Sequence, residues 1–219
     1  MRQLKRPPLE LRVSPSELKT DEGEWRGWSS GATATLEFKE AFLEWAVQNQ
    51  AGRCAYCTLP VGTVAHRRTP SIDHFAPKSR KLAKDGSSLG YPRWTFEPLN
   101  LVVACFSCNS SMKDVFNPVL QPARDSYTAC RFSVVHPYLD TVSQHIIGGY
   151  HAKGMKPAPI IGITDEGRRT IEHFELANAG LFQTWFADYR NERRTAILNR
   201  LPIRLRELYL RISKEVTPS

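Results

Sequence analysis

The chain of 219 residues has no apolar run that approaches the roughly 20 residues of a membrane-spanning helix. Its first residues carry proline and charge where a secretory signal would be apolar. It also lacks internal repeats, low-complexity tracts and the G-x-x-x-x-G-K-[ST] sequence of phosphate-binding loops. These absences argue against a membrane protein, a repeat array and a P-loop nucleotidase, and they lead us to expect a cytoplasmic protein.

Acidic residues are comparatively scarce. There are 22 Asp and Glu against 30 Lys and Arg, which gives a net charge of +8, while 41% of the residues are hydrophobic. The hydrophobic fraction is typical of a soluble domain with a core, and the length allows one domain or a small core with an added layer. The positive charge favours polyanionic partners, although it does not by itself distinguish DNA or RNA binding from simple solubility.

Four of the five cysteines form two C-x-x-C pairs, in CAYC and CFSC: Cys54, Cys57, Cys105 and Cys108. In a reducing compartment these side chains can bind metal, and four thiolates suit one tetrahedral zinc ion. Two separate redox dithiols, a chance pairing and disulfides are the alternatives. The interval between the pairs is much longer than in a compact zinc ribbon, so we expect a folded segment inside it. The fifth cysteine, Cys130, is expected to pack as a small buried hydrophobe.

Hydrophobic spacing predicts helices near both ends of the chain. Residues 1–34 are rich in Pro and Gly and predict an irregular arm anchored by Trp25 and Trp28, followed by a helix over 36–50. Short strands are predicted in SIDHF and NLVVAC, and two helical turns after Cys108. Only a loop or weak hairpin is predicted over 136–154.

The last third of the chain predicts a helical layer. Thr164 can cap a helix that runs to about residue 179, where Gly180 can end it, and a second helix starts at Leu181. A third begins at Pro202, with Leu205, Leu208 and Ile212 expected on its apolar face.

Five polar residues stand between and just after the cysteine pairs: Asp73, His74, Asn100, Asn109 and Lys113. Each has an ordinary explanation when taken alone, as a strand end, a turn or a helix start. Their common framing by one predicted zinc site makes them candidates for a functional site.

Together these residues resemble the zinc-bearing HNH endonucleases, whose pattern is C-x-x-C, then (D/H)-H on a strand, then Asn, then C-x-x-C-(H/N)-x-x-x-(H/K). Here it reads CAYC, SIDHFAPKS, EPLNLVVACFSCN and SSMK, over about 54–113. The opening MRQLKRPP and the segments GRCAYC, HPYLD and TIEHFELANAGL look like the nuclease subunits of Septu-type and retron-linked anti-phage systems. The resemblance implies an α+β fold with a ββα-metal core and a structural four-cysteine zinc, embedded in helices. The expected regions are an N-terminal arm and helix over 1–50, a nuclease core over 51–120 and a mixed linker with helices over 121–219.

The resemblance also implies roles for the five residues. His74 would be the general base, Asp73 and Asn109 the ligands of a catalytic Mg²⁺ or Mn²⁺, and Asn100 a structural residue that ties the loop and aims the histidine. Lys113 would neutralise a phosphate. Cleavage of DNA would leave a 5′-phosphate and a 3′-hydroxyl. Adjacent residues of a regular strand face opposite ways, so the pair Asp73–His74 predicts irregular backbone.

Residues 65–93 carry seven basic and two acidic side chains, a surplus that suits a nucleic-acid backbone but also a solvated loop. The basic residues are Arg67, Arg68, Lys78, Arg80, Lys81, Lys84 and Arg93, and the last five are the predicted nucleic-acid contacts. Tyr91 and Trp94 could stack on bases, although core packing is the simpler explanation. Two alternatives to a nuclease are a zinc-stapled nucleic-acid-binding module without catalysis and an interaction subunit. The resemblance further implies an ATPase partner of the ABC or SMC-like kind.

Overall fold

Short two-stranded sheets alternate with helices along the chain, in the mixed α+β arrangement that the sequence predicts. A computed structural model describes residues 1, 3–8, 12–61, 70–78, 90–114, 116–123, 126–150 and 155–216, except the side chains of 210 and 213–216. The strands are β1 Ser71–His74, β2 Leu101–Ala104, β3 Val119–Gln121, β4 Arg131–Phe132, β5 Ile146–Gly149 and β6 Ala158–Gly162. The α-helices are α1 Thr33–Asn49, α2 Asp165–His173, α3 Ala179–Leu198 and α4 Ile203–Val216, and a π-helix spans Ser107–Lys113.

Helix α1 joins the N-terminal segment to the central strands. Its buried side chains include Phe38 and Phe42, which recur at the predicted helical spacing. Just after the helix, the buried Gln50 side chain bonds to β2: its amide donates to the Val103 carbonyl at 2.7 Å and accepts from the Val103 N–H at 2.9 Å. One side chain thus completes the hydrogen bonding of a buried strand edge.

The strands β1 and β2 form a regular antiparallel pair, from Ser71 opposite Ala104 to His74 opposite Leu101. All four residues of β2 are buried, which explains why LVVA is apolar without alternation. The π-helix follows β2 directly, so the order strand, strand, helix is present. The predicted two α-helical turns are replaced by this single wider helix, which ends at Asp114, where φ is 36°.

The C-terminal helices differ from the prediction at their ends. Thr164 caps α2 by accepting from the Gly167 N–H at 3.1 Å, as expected, but α2 ends at His173 rather than near 179. Gly180 does not end a helix; it lies in the first turn of α3, where the Asn178 side chain accepts its N–H at 2.8 Å. The weak hairpin expected over 136–154 contains β5, whose partner β6 lies beyond that range.

Helix α3 packs against the chain around the first cysteine pair. The Arg53 guanidinium forms ion pairs with Asp188 at 2.7 Å and Glu192 at 2.5 Å. The fully buried Trp185 donates its indole N–H to the Cys57 carbonyl at 2.8 Å. These contacts attach the C-terminal region to the site described below.

Helix α4 leaves its apolar side uncovered. Leu205, Leu208 and Ile212 are each about half exposed, so the predicted apolar face exists but does not pack in the core. Within the described ranges, no helix combines the length and the apolarity that crossing a bilayer would require.

Candidate functional site

The four cysteines of the two C-x-x-C pairs form one buried cluster. Their sulfur atoms all lie within 4.8 Å of one another, and Cys57 Sγ is 3.8 Å from Cys105 Sγ. Four sulfurs at about 2.3 Å from a tetrahedral zinc are separated by about 3.8 Å, so this geometry fits such an ion. All four are free thiols rather than disulfides. The predicted cysteine cluster is confirmed as a group that could hold a metal ion such as zinc.

Backbone hydrogen bonds hold the first cysteine pair in a tight turn next to β2. The Cys54 N–H bonds to the Leu59 carbonyl at 2.9 Å, and the Ala55 N–H bonds to the Val103 carbonyl at 3.0 Å. Thr58 has a φ of 61°, the left-handed conformation that closes such a turn. The turn brings Cys54 and Cys57 to the end of β2, where Cys105 follows.

Strand β1 presents the two central candidate residues in opposite directions. Its pairing with β2 continues regularly through Asp73 and His74, so the strand has no bulge at this pair, whereas a strand end, the other irregularity expected there, is present because β1 ends at His74. Side chains alternate along a regular strand. Asp73 therefore shares a face with Ser71 against the π-helix, whereas His74 faces the segment around Thr95. The Asp73 carboxylate contacts Lys113 and Tyr56, whereas the His74 imidazole contacts Thr95 and Trp28.

The Asp73 carboxylate is already bonded on both oxygens. Oδ1 accepts from the Lys113 ammonium at 2.9 Å and Oδ2 accepts from the Tyr56 hydroxyl at 2.5 Å, and Asp73 is only 4% exposed. Burial raises the pKa of this carboxyl, against the lowering by Lys113 and Tyr56. Asn109 donates its amide to the Ser71 hydroxyl at 2.8 Å. The two expected metal ligands, Asp73 and Asn109, therefore have different hydrogen-bond partners.

The His74 imidazole is held as a neutral base. Nε2 lies 3.0 Å from the Thr95 carbonyl oxygen, which can only accept, so Nε2 carries the proton and Nδ1 keeps its lone pair. Burial first, and then the positive charges of Lys78, Lys113 and Lys39, lower the pKa of His74 well below its ordinary value. His74 is 4% exposed, and the Trp28 ring lies edge-on to its imidazole at 4.5 Å between centroids.

Asn100 ties together the two ends of the segment between β1 and β2. Its Oδ1 accepts from the Ala76 N–H at 2.7 Å, and its Nδ2 donates to the carbonyls of Ala76 at 3.1 Å and Trp94 at 3.0 Å. Trp94 precedes Thr95, whose carbonyl accepts the His74 bond. The fully buried amide therefore fixes the segment that orients the imidazole.

Behind Asn100 lie two buried residues that the sequence did not indicate, Tyr127 and His136. The Tyr127 hydroxyl donates to Asn100 Oδ1 at 2.9 Å and lies 3.0 Å from His136 Nε2. Because His136 Nδ1 accepts the N–H groups of Tyr138 and Leu139, its proton is on Nε2 and is donated to Tyr127. Burial lowers the pKa of His136 to about 3.

Three contributors near the candidate site were also missed. Lys39 comes from α1, with its Nζ 4.9 Å from the Trp28 ring, and Tyr56 comes from inside the first cysteine pair. The position of Lys39 within the predicted helix gave no indication that it contributes to the candidate site. Trp28 was expected only to anchor the arm, which it does through Phe96 at 5.6 Å, in addition to covering His74.

The predicted nucleic-acid contacts are only partly described. Lys78 follows β1 and is partly exposed, and its charge acts on His74. Arg93 is exposed, lies over the Trp94 ring at 4.7 Å and donates to the Ala123 carbonyl at 2.9 Å. Trp94 itself is buried in the core, and Tyr91 stacks on it at 4.4 Å. Three of the predicted contacts lie outside the described residues: Arg80, Lys81 and Lys84. The basic residues Arg67 and Arg68 also lie outside them.

Cys130 is buried, as expected, with its sulfur 3.3 Å from the Ala123 N–H.

Comparison of the chain with known protein families, with curated proteins and with solved structures finds no match.

Proposed function

We propose that this protein is an endonuclease of the HNH kind that hydrolyses phosphodiester bonds in DNA. The observation that carries the proposal is the neutral, oriented imidazole of His74 at the end of β1, in a strand, strand, helix unit held at one end by the cysteine cluster. Hydrolysis of a phosphodiester needs a proton acceptor for the attacking water and positive charge for the phosphate. His74 Nδ1 supplies the first requirement, and Lys39 and Lys78 supply the second.

In this proposal, water gives its proton to His74 Nδ1 while the Thr95 carbonyl accepts the N–H of the opposite nitrogen. The water oxygen bonds to phosphorus, the bond from phosphorus to the 3′ oxygen breaks, and that oxygen takes a proton from solvent water to leave as the 3′-hydroxyl. A lowered pKa keeps the imidazole neutral at physiological pH, so the Nδ1 lone pair is available, and the same shift makes the ring a weaker base than an exposed histidine. The positive charges near it would attract the phosphate backbone and stabilise the charge that develops on the phosphate oxygens. Asn100 acts through the segment it holds and is a positioning residue.

The resemblance implies a Mg²⁺ or Mn²⁺ ion at Asp73 and Asn109, where such an ion would polarise the phosphate. The side chains as folded do not fit it. Both oxygens of Asp73 are bonded, one of them to a cation, and Asn109 is turned with its amide towards Ser71. We therefore derive no step through a divalent ion at this place.

Zinc at the cysteine cluster is proposed to be structural. Four sulfur ligands complete a tetrahedron and leave no position for water or substrate, which is the arrangement of structural zinc sites. The free thiols also support a reducing compartment, and we propose a cytoplasmic location on that ground.

The proposal is tested by incubating plasmid DNA with zinc-loaded protein, in chelator-treated buffer and with added Mg²⁺ or Mn²⁺. The wild type should nick or linearise the plasmid, and His74→Gln, which keeps a polar side chain of similar reach, should not. Lys156→Met, which removes an exposed charge away from the site, is the matched control and should cut like the wild type. Equal cutting by the wild type and His74→Gln would exclude His74 as the base.

A binding module without catalysis remains the competing proposal. It is supported by the burial of His74, which is 4% exposed and lies against the Trp28 ring. Such a module would bind duplex DNA with a steep dependence on salt, keep that binding in His74→Gln and show no cleavage under any metal condition. A Trp28→Ala variant adds a further comparison, because an enzyme whose base is covered should cut faster when the cover is removed.

The uncovered face of α4 supports a partner protein, and we propose the ATPase subunit implied by the resemblance. Leu205, Leu208 and Ile212 are spaced to lie along one side of the helix and are about half exposed. Coexpression with an ATPase encoded next to this chain should give a complex that Leu208→Glu disrupts while leaving plasmid nicking by the isolated protein unchanged. A complex unaffected by Leu208→Glu would exclude this face.

A further inference from the structure

The buried Lys113 ammonium donates to two oxygen atoms. Its Nζ donates to Asp73 Oδ1 at 2.9 Å and to the main-chain carbonyl of His74 at 2.5 Å, and its side chain is only 6% exposed. A carboxylate and a backbone carbonyl are donor types that hard divalent cations use in proteins. Here the same donors hold a lysine.

The π-helix brings Lys113 to this position. Asn109 and Lys113 both contact β1, at Ser71 and Asp73 respectively, so one side of the helix runs along one side of the strand. The Asp114 N–H bonds to the Asn109 carbonyl, the i to i+5 bond of this wide helix, and the helix ends there. Lys113 is its last residue, and its side chain reaches the end of β1.

We propose that the Lys113 ammonium is the resident cation of the Asp73 site and keeps Mg²⁺ and Mn²⁺ off this carboxylate. The charge of Asp73 is balanced by one lysine, and its second oxygen is held by the Tyr56 hydroxyl. A divalent ion on the same carboxylate would place three positive charges around one negative charge in a buried space, where like charges repel strongly. The ion can bind only when the ammonium is gone.

This arrangement makes Lys113 a positioning residue. It joins the π-helix to the carbonyl of His74 and to the neighbouring side chain, so it fixes the backbone that carries the imidazole on the opposite face. The catalytic significance of this inference rests on the proposed function, whereas its test measures only metal binding and stability.

The test compares zinc-loaded wild type, Lys113→Met, the double variant Lys113→Met with Asp73→Asn, and the control Lys156→Met. Thermal unfolding is followed with and without millimolar Mn²⁺, and bound Mn²⁺ is counted by electron paramagnetic resonance. Wild type and Lys156→Met should bind no Mn²⁺ at Asp73 and should show no shift in melting temperature. Lys113→Met should be destabilised, because it leaves a buried charge without its partner, and Mn²⁺ should restore it. The double variant should not respond.

We expect Lys113→Met to bind Mn²⁺ at least about tenfold more tightly than the weakest binding that the same titration would detect in the wild type, or about 1.4 kcal/mol. Wild type that binds Mn²⁺ and loses it in Asp73→Asn would overturn the inference and leave a metal-dependent nuclease intact. A folded Lys113→Met that ignores Mn²⁺ would also overturn it. If Lys113→Met does not fold, Lys113→Gln gives the same comparison with a side chain that still forms hydrogen bonds. Failure of the nuclease proposal is read separately, from plasmid cutting by His74→Gln.

Discussion

The buried His136 gives the sharpest prediction of stability against pH. Its ring is fully buried between Phe75 at 4.3 Å and Phe132 at 4.9 Å, and its pKa is about 3 against an ordinary value of about 6.5. The folded state therefore binds fewer protons than the unfolded state as the pH falls below about 6.5. The contribution of His136 is fully present above that pH and is lost progressively down to about pH 3.

The size of this loss follows from the two pKa values. Each unit of difference is worth about 1.36 kcal/mol, so about 2 kcal/mol is lost at pH 5 and about 5 kcal/mol below pH 3. In His136→Asn the side-chain oxygen can still accept the N–H of Tyr138, but the group does not titrate. The variant should be less stable than wild type near pH 7.5, and the difference should shrink by about 2 kcal/mol at pH 5.

The assay is urea unfolding of both proteins at several pH values between 7.5 and 5, with zinc content checked at each pH. Taking the difference between proteins cancels the acid sensitivity of the cysteine cluster and of His74. Tyr127→Phe is the matched control: it removes a hydrogen bond of His136 and keeps the histidine, so its stability should fall with pH in parallel with wild type. Parallel curves for wild type and His136→Asn would refute the reasoning.

Three further outcomes are expected. Cys105→Ser should lose its zinc and much of its stability, because structural zinc contributes folding free energy. Atomic absorption measures the bound zinc, which the control variant Cys130→Ser should retain. Zinc retained in both variants would contradict the four-cysteine site. Asn100→Ala should lower the free energy of unfolding by about 2–5 kcal/mol, since it leaves several buried backbone groups without partners; a loss below 1 kcal/mol in denaturant unfolding would contradict the clamp. The rate of plasmid cutting should hold as the pH falls through 6.5, because the lowered pKa of His74 moves the loss of its neutral form to more acid pH; a midpoint at 6.5 would argue against a buried base.

Local signals in the sequence identified the parts of the fold that depend on neighbours along the chain. The cysteine spacing predicted the cluster, and the apolar run before Cys105 predicted β2. Helix ends were less reliable because competing caps lie close together: Asn178 captures the Gly180 N–H and starts α3 where glycine suggested an end. The π-helix has no such local signal, since its i to i+5 bonds arise from packing against β1.

At the candidate site, the motif predicted which residues are grouped but not which side chains are in contact. The order of Asp73, His74 and Lys113 indicated that they belong together, but not which side chains would touch. A motif does not specify side-chain directions, so it does not show that alternation along β1 separates Asp73 from His74. The ion pair of Asp73 with Lys113 depends on the pitch of the π-helix. Contacts from distant segments, such as Lys39 and Tyr127, carry no sequence signal of their own.

The indole of Trp185 on the Cys57 carbonyl has a consequence for the order of assembly. The thiol cluster is complete once residue 108 has been synthesised, but the cover of its first turn comes from a helix made about 80 residues later. During synthesis at about 5–20 residues per second, this leaves several seconds in which the cysteine cluster lacks its cover from α3. Zinc supply at the ribosome should therefore govern how much of the newly made protein escapes oxidation and aggregation.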